Sequence, residues 1–346
     1  MSATTDARLE GRILDYLKSR LPAGRDFALA DVKRIAVGWS HETWLFDLNY
    51  REDGRDVSLG LCLRRDPGNT LLRHLSSLEE QYRVLKCLEG TPLATPKVYW
   101  YEDDTAILDQ PFLVMEKVPG TCPSPWGRDG RAFYQAAADR GTLPASFTAT
   151  LATLHTLDWR AAGLDFLGVP ARGRDFALRE IAKWRELIAL SEHPPEPILT
   201  DLIAWLEANA PESEQVALVH GAYRTGNLLI HEDRISAVLD WELQVLGDPM
   251  YDVAYVLSDL NREGTPLLSN LVDRDAFFRD YEAQTGFTID EQRCRYYNAL
   301  YAMRSVAFWM SASGLYASGR SDDIRLARTA WSVPVVLERA ATELGY

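Results

Sequence analysis

The chain has 346 residues, which at roughly 150 residues per domain implies about two domains or lobes. Apolar residues make up 47%, aromatics 10% and charged residues 25%, the make-up of a core-forming globular chain, which excludes a disordered tail or a disulfide-stapled miniature. The formal charge of -13 repels polyphosphate backbones and argues against nucleic acid as a partner, so a phosphorylated ligand would need a local cation or a metal to hold it.

In chain order, residues 9–21 carry Leu9, Ile13, Leu14 and Leu17 at helical spacing, ending before Pro22. Strand-like runs follow at 32–36, 43–48 and 57–63, separated by a GWS loop (38–40) and a turn-rich segment around Gly54. A helix is predicted over 75–88, with Leu78, Tyr82, Leu85 and Leu88 on one face, and extended runs over 97–101 and 112–118 close this half. Pro119 and Gly120 break the pattern. Beyond them the chain turns helical, with segments at 147–157, 177–190, 198–208 and 296–310. One β-rich island interrupts the helices at 217–241, with two apolar runs, ALVH and ISAVLDW, around a loop. The pattern predicts a small lobe of strands plus a helix, residues 1–118, joined to a larger helical lobe, 119–346.

No run approaches the roughly 18 apolar residues of a membrane helix, and the start lacks the apolar stretch of a secretory signal. Cys62, Cys87, Cys122 and Cys294 are scattered, with no CxxC pair and no histidine spaced to complete a zinc site, so they are expected as buried free thiols. A reducing, cytoplasmic compartment is the corresponding expectation.

The chemistry concentrates in VHGAYRTGNLLIHEDRISAVLDWELQVLGDPMYDVAYV. His220 and Asn227 lie in the loop after one strand, and Asp240 ends the next apolar run. Asn supplies a neutral carbonyl oxygen and Asp a charged one, a set suited to Mg²⁺, which takes a few such oxygens together with phosphate and water. Either residue alone reads equally well as a turn former or a cap.

Taken whole, the segment resembles the HGDxxxxN…DWE…GDPxxDxA pattern of aminoglycoside phosphotransferase-like small-molecule kinases of the choline/aminoglycoside kinase superfamily. It is most similar to the branch of kinase-like domains fused to some acyl-CoA dehydrogenases. LEEQYRVLKCLEG (78–90), PFLVMEKVPG (111–120), LATLHTLDW (151–159) and LGDPMYDVAYV (246–256) extend the match from about residue 30 to 310. The resemblance implies an α+β, bilobal protein-kinase-like fold using ATP and Mg²⁺, with the nucleotide between the lobes and a small-molecule hydroxyl as acceptor. It places the metal ligands at Asn227 and Asp240 and a phosphate-gripping cation at Arg64. It also places the adenine-reading hinge at Glu116 and Val118 with Met115 beside the base, and a phosphate contact at Ser40. Tyr223, Arg224, Glu242, Tyr255 and Arg304 are the expected acceptor walls. The arginines would suit a hydroxy acid or its thioester, and Glu242 a cationic aminoglycoside or choline-like acceptor. His155, His220, Asp248 and Asp252 are expected to brace the loop.

The chain departs from the pattern at two places. Ala222 stands where the pattern has the aspartate that orients the acceptor hydroxyl, a loss that typically costs roughly 10²–10⁴ in rate. Three readings are open: an introduced substitution, a site in which Glu242 takes over, or a nucleotide-binding module without catalysis. Impaired activity is the expectation. The second departure is Gln81, which stands where a glutamate usually pairs with the phosphate-gripping cation; Glu80 lies about 100° away round the helix.

Overall fold

A computed structural model describes residues 3–35, 41–66, 68, 76–191, 193, 194, 196–262 and 264–344. The chain divides into one unit made of Met1–Glu89 and Thr95–Pro119, and another made of Gly90–Ala94 and Gly120–Tyr346.

The first unit begins with α1 (Ala3–Arg20), whose Leu9, Ile13, Tyr16 and Leu17 are buried at helical spacing. Strands β1 (Arg25–Ile35), β2 (Glu42–Glu52) and β3 (Arg55–Arg65) follow, then α2 (Leu78–Leu88), β4 (Val98–Glu102), the short α3 (Thr105–Leu108) and β5 (Phe112–Glu116). The strands form one antiparallel sheet in the order β1-β2-β3-β5-β4. Alternation along β2 buries Trp44, Phe46, Leu48 and Tyr50 against Leu61, Leu63, Phe112, Val114 and the buried face of α1. Asp53 and Gly54 close the β2–β3 hairpin with positive φ at both positions, 48° and 77°, the torsions of a type I′ turn. The strands run further than the apolar runs at 43–48 and 57–63 suggest, because the ladder stays paired through polar residues as far as Glu52 and Arg55. Residue 36, predicted to end the first strand, lies outside the described residues, and that strand starts earlier, at Arg25. Helix α2 starts at Leu78, with the Ser77 hydroxyl accepting from the Glu80 N–H.

The second unit carries α4 (Arg128–Arg140), α5 (Thr142–Thr156), α6 (Asp175–Leu190) and α7 (Pro197–Asn209), then strands β6 (Ala217–Val219), β7 (Leu228–His231), β8 (Arg234–Val238) and β9 (Val245–Gly247). Helices α8 (Met250–Leu257), α9 (Arg274–Thr285), α10 (Glu291–Ala317), α11 (Ile324–Arg328) and α12 (Ser332–Leu344) complete it. Strand β6 pairs with β9 and β7 with β8, both antiparallel. The long α10 packs against α6, α7, α8, α11 and α12, which is why it buries Tyr297, Leu300, Tyr301, Met303, Arg304 and Ala307 on several sides.

The cysteines are free, but only Cys62 and Cys294 are buried; Cys87 is half-buried and Cys122 exposed. Cys122 follows the Thr121–Ile230 bridge at the unit's surface, its thiol 3.1 Å from the Gly226 carbonyl oxygen. Among the described residues no helix is long and apolar enough to cross a membrane.

Candidate functional site

In the first unit, the strand sequence LCLRR sets two arginines side by side, and alternation sends them to different partners. Arg65 binds Glu42 through Nε and Nη2, at 3.0 and 2.6 Å, and gives Nη1 to the Leu108 carbonyl. Arg64 instead gives Nη1 to Gln81 Oε1 at 3.3 Å on α2, and its Nη2 lies 3.1 Å from His41 Nδ1. Gln81 is buried, so its amide sets the position of the Arg64 fork without neutralising its charge. Met115 is buried and pairs with Cys62 and Val98 across the sheet. The Glu116 N–H donates to the Lys97 carbonyl at 2.8 Å and the Lys117 N–H to Gly60 at 3.0 Å. Val118 is half-buried. Ser40 lies outside the described residues.

In the second unit, the loop between β6 and β7 is braced from several sides. Asp252 in α8 is wholly buried and accepts the His220 and Gly221 N–H groups at 2.7 and 2.8 Å. His155 Nε2 lies 3.3 Å from the same carboxylate, and its Nδ1 lies 2.7 Å from the Tyr281 hydroxyl. Arg304 gives Nη1 to the Gly221 carbonyl. His220 Nε2 lies 2.7 Å from the Leu239 carbonyl, which only accepts, and Nδ1 receives the Ala222 N–H at 3.2 Å. These two bonds require the neutral imidazole with its proton on Nε2. Burial, opposed by the Asp252 charge, holds the His220 pKa below its ordinary range. Asp248 accepts from the Met250 N–H, Tyr297 and Arg293, and burial nevertheless pushes its carboxyl pKa up.

The loop closes through a short 3-10 turn, Thr225–Asn227. Asn227 is buried and donates Nδ2 to the Ala222 carbonyl at 2.9 Å, which leaves Oδ1 as its acceptor. The Asn227 backbone carbonyl receives the Leu239 N–H at 2.8 Å. Asp240 therefore stands one residue from a backbone bond to Asn227, so the expected ligands share one corner of the unit. The strand expected over 235–241 ends at Val238, where the chain turns toward Asn227. Asp240 then adopts φ 65°, a left-handed conformation that Asp tolerates better than most side chains. Among the described residues no three His, Cys, Asp or Glu side chains cluster as a self-sufficient metal site. The donor set of one amide oxygen and one carboxylate fits Mg²⁺, which usually keeps waters and substrate phosphates as its remaining ligands.

The five expected acceptor walls divide. Tyr223 is a core residue, wholly buried with its hydroxyl donated to the Phe147 carbonyl at 2.8 Å. Glu242 is also buried. Arg224 lies over the exposed Trp126 ring at 4.4 Å. Tyr255 and Arg304 meet, with the guanidinium 4.9 Å from the ring centroid. Trp126 and the aromatic surroundings of Arg304 carry no local sequence signal; only the tertiary packing brings them to the loop.

This is a kinase-like phosphotransferase fold whose β6–β7 loop is braced by His155, Asp252 and Arg304 from α5, α8 and α10. Residues 31–297 match the phosphotransferase enzyme family, APH, and the chain belongs to it. Acyl-CoA dehydrogenase family member 11 from Rattus norvegicus is 31% identical over 70% of this chain, and family member 10 from Mus musculus is 32% identical over 62%. The match spans only 30% and 20% of those two proteins. Among solved structures, a Ralstonia eutropha protein provisionally assigned as an aminoglycoside phosphotransferase superposes with a TM-score of 0.69 at 24% identity, covering 95% of this chain and 97% of that one. A thermostable mutant of aminoglycoside phosphotransferase APH(4)-Ia, in a ternary complex with ADP and hygromycin B, superposes with a TM-score of 0.57 at 16% identity, covering 96% of this chain and 99% of that one. These likenesses establish the fold.

Proposed function

We propose that the chain binds ATP with Mg²⁺ and transfers a phosphoryl group slowly to a hydroxyl of a small molecule. The observation that carries this reading is the 2.8 Å bond from the Leu239 N–H to the Asn227 carbonyl, which holds the Asn227 and Asp240 corner together. When bound, Mg²⁺ would neutralise charge developing on the transferred phosphoryl group. Asn227 Oδ1 and the Asp240 carboxylate would hold it. Arg64 would grip the nucleotide's phosphates, and Glu116 C=O and Val118 N–H would read the adenine edge beside Met115. That APH(4)-Ia is found with ADP and hygromycin B supports a nucleotide and a small hydroxylated acceptor here.

Position 222 is the exception. Its methyl cannot accept a hydrogen bond from the acceptor hydroxyl, so orientation is lost while the rest of the loop stays braced. Phosphoryl transfer depends mainly on positioning and electrostatics, which leaves slow turnover open to this chain. Ala222 also favours a second reading, a nucleotide-binding module without catalysis. Ala222→Asp followed by an ATP-consumption screen over hydroxy acids, amino alcohols and aminoglycosides separates the two. The kinase reading expects a gain of roughly 10²–10⁴ with some acceptor. No gain with any acceptor, while Mg²⁺-dependent ATP binding persists, selects the module.

A further inference from the structure

The outer face of the last two helices is left to water. Trp331 is 83% exposed, Ile324 67% and Val335 51%, and no large apolar side chain among the described residues is more exposed than Trp331. The opposite face is spent on the fold. Leu326, Thr329, Val336, Leu337 and Ala340 are buried, with α11 and α12 packed on α10 and α12 also meeting α7. A single exposed apolar side chain needs no explanation, but several aligned on one face mark an interaction surface.

The alignment follows from the backbone. Arg328, Thr329 and Ser332 keep right-handed helical torsions, so α11 runs into α12 through one tight 3-10 turn, Thr329–Trp331. Ile324, Arg328, Trp331, Val335, Glu338 and Thr342 then recur at alternating spacings of four and three residues, and all six are exposed. That is the spacing of the seam positions of a coiled coil.

The seam is complementary to itself. Trp331 and Val335 lie equally far from Val333, and so do Arg328 and Glu338. Laid antiparallel on a second seam about the level of Val333, Trp331 of one copy meets Val335 of the other and Arg328 meets Glu338, each contact occurring twice. Within one copy Arg328 and Glu338 are about 15 Å apart along the axis, out of reach of each other. The neighbouring Arg325 is already paired with Asp323 of its own chain. A parallel arrangement would oppose arginine to arginine and glutamate to glutamate, so the charges select the antiparallel one.

We propose that this face docks on the same face of a second copy of the chain, in a two-fold antiparallel pairing of the α11–α12 segment. One helix pair offers less than the roughly 800 Å² per partner of a standard interface. Repulsion between two copies of net charge -13 weakens it further. The dimer is therefore a weak one, with a micromolar dissociation constant. None of its residues belongs to the β6–β7 loop, so the pairing does not depend on the phosphotransferase reading.

The test is sedimentation velocity of the full chain between about 1 and 200 µM, which brackets micromolar affinities. The expected result is a reversible monomer–dimer equilibrium. Trp331→Ser should lower the association constant about thirtyfold or more, because a central anchor is lost twice in a two-fold contact. Its urea midpoint should barely move, since the residue touches mostly water in a single copy. Arg328→Glu and Glu338→Arg should each weaken association about tenfold by opposing like charges, and the two together should restore it to within about threefold. A chain still monomeric at about 200 µM, an unchanged association constant in Trp331→Ser, or reversals that have no effect or whose effects simply add overturns the inference. If Trp331→Ser fails to fold, the charge reversals decide. A monomer that binds vesicles of phosphatidylcholine and phosphatidylglycerol only when Trp331 is present assigns the face to a lipid surface and overturns the inference as well.

Discussion

At Gly221 the backbone adopts φ +79°, and a Cβ built there would lie 2.4 Å from the Leu243 carbonyl oxygen. A side chain would meet backbone, which cannot swing aside, in a region of conformational space that disfavours it. Gly221→Ala should therefore cost roughly 1–3 kcal/mol, seen as a lower urea midpoint with an unchanged slope; an unaltered midpoint would show that the loop relaxes around the methyl. Its neighbour His220 adds a pH dependence of known sign. Above the ordinary value of 6.5 the imidazole is neutral in both states and contributes no slope. As pH falls below it, the unfolded chain takes up a proton that the folded chain refuses, so stability falls until the lower folded pKa is passed. The structural reason is that a protonated Nδ1 would face the Ala222 N–H donor. His220→Gln keeps a donor for Leu239 and does not titrate. Between pH 7.5 and 5.5 the unaltered chain should lose more stability than this variant, and parallel curves would remove His220 as the cause.

Among the elements, those whose apolar residues recur at regular spacing are legible in the sequence, and their polar extensions are not. The helix at 9–21 is marked by Leu9, Ile13 and Leu17, all of which are buried. Helix α4 gives little such signal, because RDGRAFYQAAADR buries only Gly130, Tyr134 and Ala137. Strand β1 is mostly polar and lies at the sheet edge, so its pairing with β2 is what defines it. Helix α2 shows how an element positions a site residue: Ser77 caps it and Gln81 reaches Arg64 from its second turn. Ser77→Ala should cost about 1 kcal/mol. Hydrogen exchange should show the loss as faster exchange at the N–H groups of residues 79–81, with the helix's last turn unaffected. Exchange rising equally along the whole helix would mean that the cap is not what holds this end.

At the scale of the whole molecule, the charge of -13 and the polyphosphate proposed as ligand pull in opposite directions. The order of motifs is what singles out Asn227, Asp240 and Arg64 as candidates, because each falls at a strand end or on an apolar run. What is not legible is how the loop is braced, since it depends on where Asp252 and Arg304 meet the Gly221 backbone from distant helices. The two facts act at different ranges. In the proposed reading Arg64 and a bound Mg²⁺ would act at contact distance, where salt screens little, whereas the net charge acts over distances comparable to the Debye length, about 10 Å at 0.1 M salt. Association of a fluorescent ATP analogue should therefore speed up, by about twofold or more, as salt rises from low concentration to about 0.1 M. The dissociation rate should change less. Removing Mg²⁺ with a chelator should abolish binding, because Arg64 alone would face both the full nucleotide charge and the protein's own field. An association rate that falls with salt would mean that local cations dominate the long-range field, and binding that survives the chelator would remove the metal role assigned to Asn227 and Asp240.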